Sequence, residues 1–216
     1  MMEESKDKMK EQKDLKPNEH AGVNMNGHIL IRDKETGEEL VNKRNAIHYG
    51  NMAYIVANAL NGTDNARVYY MGFGNGGTSV DTTGKIIYKS PRVSEAFQSS
   101  ASLYSRTYKK IVGGTGDSTN QIEVITGTSY SDIKVTATLS YSEPADQDLF
   151  DTSTDNNGSY VFDELGLFSY PTDPSPSDGS DPIDTSRMLT HVVFHPVQKA
   201  QNRVIEIIYT VRIQLS

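Results

Sequence analysis

Cysteine is absent from the 216 residues, and so is tryptophan. The first absence excludes a disulfide framework, a thiolate zinc site and a cysteine nucleophile. With no secretory leader legible either, the chain is expected to fold in a reducing cytoplasm. Long apolar runs are missing too, since no stretch approaches the roughly 18 residues of a membrane-spanning helix. Basic residues are outnumbered, 21 Lys and Arg against 28 Asp and Glu, for a net charge of −7. That balance argues against a general nucleic-acid binder, which should show a basic face, and no sequence-specific nucleic-acid partner is expected. Apolar residues make up only 36% of the chain, whereas Tyr occurs 12 times and Gly 17 times. With abundant Thr, Ser and Asn, the mix suits short strands joined by polar loops, not a helical bundle.

The pattern along the chain divides it in two. Residues 1–24 open with MMEESKDKMKEQKDLKPNEH, alternately charged and without an apolar stripe. They read as a solvated arm, or as one that orders against a neighbouring subunit. Residues 25–216 read as one β-rich domain. GHILIRDKETGEELVNK is a hairpin turning at Glu35-Thr36-Gly37. NAIHYGNMAYIVANALNG is the one clear helix: Ile47, Met52, Ile55, Val56, Ala59 and Leu60 fall at helical spacing, Asn45 serves as N-cap and Asn61-Gly62 as the stop. Thereafter RVYYMGF, KIIY, RTYKKIV, QIEVIT, DIKVTATLSY, YVFDELGLFSY, RMLTHVVFH and NRVIEIIYTVRIQL read as strands. In the fifth of these, Ile133, Val135, Ala137 and Leu139 alternate with Lys134, Thr136, Thr138 and Ser140, the period of a strand with one buried face. The last is the most apolar and is expected in the middle of a sheet. The fold class is mainly β: a single β-sandwich-like domain with one early α-helix and an extended charged N-terminal arm.

Four stretches hold candidate chemistry. Gly72, Gly74 and Gly77 spell G-x-G-x-x-G after the strand Val68–Met71, as a dinucleotide site would, and Glu95 lies at about the ribose-binding distance. But no helix pattern follows Gly77, so the glycines read as a turn between strands, and no cofactor is expected. His191 and His195 stand four apart in an apparent strand, which would separate them by roughly 13 Å, too far for one metal. The loop Asp148–Gly158 carries Asp151, Asp155, Asn156 and Asn157 without calcium-loop spacing. In Asp163-Glu164-Leu165 the two acids should point to opposite faces, with one of them buried and paired to an Arg or a backbone N–H. PTDPSPSDGSDPID, residues 171–184, reads as a flexible acidic loop. None of this assembles a catalytic constellation, so no enzyme activity is expected.

Three segments in order carry a resemblance: the helix running into VYYMGFGNGG, then YVFDELGLFSY, then LTHVVFHPVQKAQNRVIEIIYTVRIQ. Together they resemble virion structural proteins of tailed bacteriophages, and in particular the N-terminal collar domain of tail fibres. There, a GxG turn follows the first helix, an E-x-G-L step lies in a strand, and a P-x-x-K bend precedes the last strand. The corresponding positions here are Gly72 to Gly77, including Gly74, Asn75 and Gly76; Glu164 to Leu167; and Pro196 to Lys199. The chain closes at Ser216 with no shaft or tip, so the resemblance implies a compact neck, tail-ring or baseplate subunit. It would be made in the host bacterial cytoplasm and built into the virion. Its implied partners are copies of itself in a ring and other phage tail, neck or fibre proteins, with no membrane involved. Gly72, Gly74, Asn75, Gly76, Gly77, Glu164, Pro196 and Lys199 are the implied assembly-interface residues. The rival readings are a carbohydrate-binding β-sandwich module that uses Tyr as the sugar platform, and a metal-dependent hydrolase built on the Asp-rich loops.

Overall fold

The computed structural model describes residues 22–63, 65–93, 102–113, 119–144 and 160–215. The arm's first 21 residues, Glu95 and the loop Asp148–Gly158 lie outside them. Nine strands form one antiparallel sheet. In chain order the long strands are β1 (Val23–Asp33), β2 (Glu39–Ile47), β3 (Val68–Gly74), β6 (Arg106–Ile111), β7 (Gln121–Thr126), β8 (Tyr130–Leu139), β9 (Tyr160–Ser169), β10 (Thr190–Lys199) and β11 (Ile205–Leu215). A separate hairpin is made by β4 (Thr78–Val80) and β5 (Ile86–Tyr88), and the helix α1 spans Tyr49–Leu60.

Across the sheet the strand order is β6-β3-β9-β10-β2-β1-β11-β8-β7. Only Thr190↔Ile47 and His191↔Ala46 join β10 to β2. The sheet therefore bends there into a four-stranded and a five-stranded leaf, whose inner faces share one core. Met71, Phe73, Phe162 and Val192 of the first leaf pack with Ile29, Ile31, Val135, Ala137, Ile207 and Tyr209 of the second. Across the open side, Lys110 of β6 donates to the Thr138 carbonyl of β8 (2.6 Å). This is the sandwich-like architecture that the alternation implies. β11 pairs on both sides, with β1 and with β8, as its apolar content requires.

Two local expectations are corrected. Asn45 does not cap the helix; it stays in the β2 ladder opposite Gly27, and its amide donates to Tyr209 Oη (2.6 Å). His48 is the N-cap, its Nδ1 accepting from the Asn51 amide (3.2 Å). Asn61 and Gly62, the latter at φ 77°, end the helix as expected. His195–Lys199 is no bend before the last strand: β10 runs through it to Lys199. The register with β9 jumps between Val193 and Val197, and this bulge accommodates Pro196, which has no amide hydrogen for a ladder. The acidic loop is held to the sheet at its C-terminal end. Asp181 caps the short 3-10 turn Pro182–Thr185 and pairs with Lys109 of β6, while Arg106 reaches Asp184 (2.6 Å).

Candidate functional site

The acids of β9 and the glycine turn after β3 meet in one place. Tyr160, Phe162, Leu165 and Leu167 all belong to the main core, so the inward phase of β9 slips by one residue between Phe162 and Leu165. The slip sits opposite the β10 bulge. Asp163 and Glu164 consequently both face away from that core, toward the same covering layer, and both are buried. Strict alternation would have sent them to opposite faces; the bulge overrules it, and neither takes an Arg partner in this layer.

Each carboxylate acts as a multiple acceptor for that layer. Asp163 Oδ1 accepts from the Gly77 amide (2.8 Å), and Oδ2 from the Thr78 amide (2.8 Å) and the Thr78 hydroxyl. Glu164 Oε1 accepts from the amides of Gly76 (3.2 Å) and Ser105 (2.8 Å). Its Oε2 accepts from the Tyr104 amide (2.9 Å) and His191 Nε2 (3.0 Å). His191 Nδ1 in turn accepts from the Arg92 amide (2.8 Å), which fixes the ring proton on Nε2. One acid pair thus anchors three segments: the glycine turn, residues 104–105, and the strand-exit at Arg92. Burial pushes Asp163 upward, with the Glu164 charge adding to it, against the donors Thr78 and Gly77. Burial also pushes Glu164 up, but His191 and the Ser105 and Tyr104 amides outweigh it and hold that carboxyl below its ordinary value.

The glycines are explained by close approach and not by backbone conformation, since none of Gly72, Gly74, Gly76 or Gly77 has a positive φ. A Cβ on Gly74 would lie 2.4 Å from the Ser105 carbonyl and 2.5 Å from Glu164 Oε1. A β-carbon on Gly72 would enter the Phe168 ring at 2.7 Å. After Gly77 comes the strand β4, not a helix, so no helix N-terminus is aimed at the turn. The turn instead roots the β4–β5 hairpin. Lys89 returns from the hairpin with its amide on the Gly77 carbonyl (2.9 Å) and its ammonium on the Gly76 carbonyl (2.7 Å).

Of the eight residues singled out from the sequence, five converge here: Gly74, Asn75, Gly76, Gly77 and Glu164; Gly72 lies within β3 opposite Gly166, against Phe168, and not in the turn. Asn75 joins through its amide on the Ser105 carbonyl (3.0 Å). Pro196 sits within the β10 bulge and Lys199 lies past it, at the end of the strand. Lys199 is fully buried, its ammonium on the Ala200 carbonyl (3.0 Å), and burial lowers its pKa to about 8. Gly72, Gly74, Gly77, Glu164 and Lys199 are interior, so they reach a neighbour only through the elements they hold in place. The spacing of His191 and His195 poses a zinc question, and nothing local marks His191 as the partner of Glu164. Tyr104, Ser105 and Arg92 contribute backbone amides, which no side-chain pattern announces.

Chemically, the clamp is saturated. A carboxylate–imidazole pair can orient a general base, but only if the far ring nitrogen is open to a reactant. Here that nitrogen holds the Arg92 amide, and both side chains are fully buried. His195 is exposed and bonds Tyr88 (3.1 Å) instead of joining His191. Among the described residues there is no group of three or more His, Asp or Glu placed to hold a metal ion. Among those residues, no helix is long and apolar enough to cross a membrane. Comparison with known protein families, with curated proteins and with solved structures finds no match for this chain.

Proposed function

We propose that this chain is a non-enzymatic structural subunit of a tailed-bacteriophage virion, a homo-oligomer of the neck, tail ring or baseplate that docks neighbouring tail or fibre proteins. The phage attribution comes from the sequence resemblance; the attribution to assembly comes from the surface. The observation that carries it is α1. From Asn45 to Thr63 there is no Asp, Glu, Lys or Arg, and the helix buries only Asn51 and Met52. Tyr49, at 69%, and Leu60, at 85%, stand exposed at its two ends, with Ala53 and Ala57 between them on the same side. A surface helix ordinarily turns a charged face to water. One with none is suited to lie against another protein.

The clamp fits the same role, because it fixes a projecting hairpin and two loops to a rigid sheet without leaving a reactive group open. The sugar-platform alternative needs free aromatic faces, and several are occupied: Arg187 covers Tyr54 at 3.9 Å, and Lys89 and Arg92 flank Tyr104 at 4.6 and 5.3 Å. The test is quantitative mass spectrometry of gradient-purified particles from cells that encode the chain. The expected result is its presence at a fixed copy number relative to the tail proteins. Recovery only in the soluble fraction overturns the reading.

A further inference from the structure

The two outer strands of the nine-stranded sheet are guarded differently. β6 carries Arg106, Lys109 and Lys110, held by Asp184, Asp181 and Glu143 respectively. Charges along an outer strand discourage a further strand from pairing. β7, Gln121–Thr126, has no Lys, Arg or Pro, and its ladder with β8 runs six residue pairs without a register shift. Its only acid, Glu123, is drawn back toward Lys134 of β8 (3.4 Å). Val124 is 67% exposed and Ile125 46%. Among the described residues β7 pairs with β8 alone.

We propose that β7 is a seam between two copies of this chain, joined by antiparallel pairing of β7 with β7 of the second copy about a two-fold axis. The open row of N–H and C=O groups on an outer strand is satisfied in full only by another extended backbone. The strand's own sequence is self-complementary in a register centred on Val124. Val124 then stands opposite its counterpart, Glu123 opposite Ile125 and Ile122 opposite Thr126, with no like charges facing. A register centred on Glu123 would set two carboxylates against each other. Ile122 and Val124 also line a mostly apolar cleft of about 360 Å³ with Val68, Val112 and Ile133, in which Arg67 is the one charged side chain, so the second copy's Val124 seats at its rim. β6 is the poorer partner, because pairing would crowd its three cations. Isologous pairing closes after two copies and leaves α1 free for other contacts. The inference deepens the assembly reading and rests on it for its purpose, but the pairing is measurable without any virion.

A six-residue strand pair is a small interface, so self-association is expected in the micromolar range. The test is sedimentation velocity of the full chain up to about 100 µM, beside Val124→Lys. The substitution falls on an exposed side chain, and unchanged thermal unfolding verifies that the fold survives. The expected result is a dimer, or a multiple of dimers, that Val124→Lys weakens by about tenfold or more. Because the chain has no cysteine, Val124→Cys gives a second readout. Its thiols would meet on the axis, so mild oxidation should yield a covalent dimer much faster than for Ile111→Cys on β6. Association unchanged by Val124→Lys, or cross-linking equal at the two positions, overturns the seam and leaves the assembly reading standing. A wild-type chain that stays monomeric at every concentration overturns both.

Discussion

Replacing Glu164 by Gln tests the clamp at its centre. The carboxylate accepts four hydrogen bonds, two on each oxygen. An amide keeps one acceptor oxygen, so its –NH₂ must face two of the four donors. The His191 side offers no escape: for Nε2 to accept, the ring proton would move to Nδ1 and confront the Arg92 amide. Two buried donors therefore lose their partner at about 1–3 kcal/mol each, and the remaining two lose the strengthening of a charged acceptor. The sum is about 3–5 kcal/mol, the scale of breaking a buried pair. For a chain of this size that corresponds to a fall in melting temperature of roughly 10 °C. Urea denaturation should show the loss at nearly unchanged m-value. Hydrogen exchange should accelerate at the amides of Gly76, Tyr104, Ser105 and Arg92 and stay slow in β11. A loss under about 1 kcal/mol, or exchange unchanged at those four amides, would refute the reasoning.

Lys199 supplies a pH test. Its pKa falls from 10.5 to about 8 because burial opposes the charged form. Above pH 8 the folded chain releases this proton while the unfolded chain keeps it, so stability rises with pH from about 8 toward 10. For a shift of that size the gain is on the order of 2–3 kcal/mol. Lys199→Met should abolish the rise and be the more stable chain at pH 7; a wild-type stability flat or falling from pH 8 to 9.5 contradicts this. At higher pH the slope should reverse, because burial holds the hydroxyls of Tyr108 and Tyr209 protonated in the folded state. Gly27→Ala should cost about 1–3 kcal/mol, because the new methyl lands 1.6 Å from Asn45 Oδ1 and drives that side chain off Tyr209. In an Asn45→Ala background the same change should cost much less, and additive losses in the double variant would refute the contact.

Much of this fold is legible in the sequence where one face of a strand is buried. In β8 and β11 the alternation of Val135, Ala137 and Leu139, and of Ile205, Ile207, Tyr209 and Val211, matches the observed burial. The lack of a helix after Gly77 is legible in the β-branched and turn-forming residues there, and the strand β4 follows it. What stayed hidden depends on pairing between distant strands. The phase slip at Asp163-Glu164 arises from the β10 bulge, and no local feature of YVFDELGLFSY marks it. The helix start is not legible locally, because Asn45 and His48 can both accept from an amide, and a contact to Tyr209, 164 residues away, decides between them. Composition gives no sign that Lys109 and Arg106, on a strand far away in sequence, hold the end of the acidic loop at Asp181 and Asp184.

The central claim is that this chain works as an assembled subunit, with the uncharged helix α1 as a contact surface. The most direct measurement is the mass of the full chain in solution by light scattering, across a wide concentration range and beside Leu60→Glu. The account predicts a closed multimer of fixed copy number that Leu60→Glu reduces without changing thermal unfolding. A wild-type chain that remains a monomer throughout, or a multimer indifferent to a charge at the exposed end of α1, would contradict it.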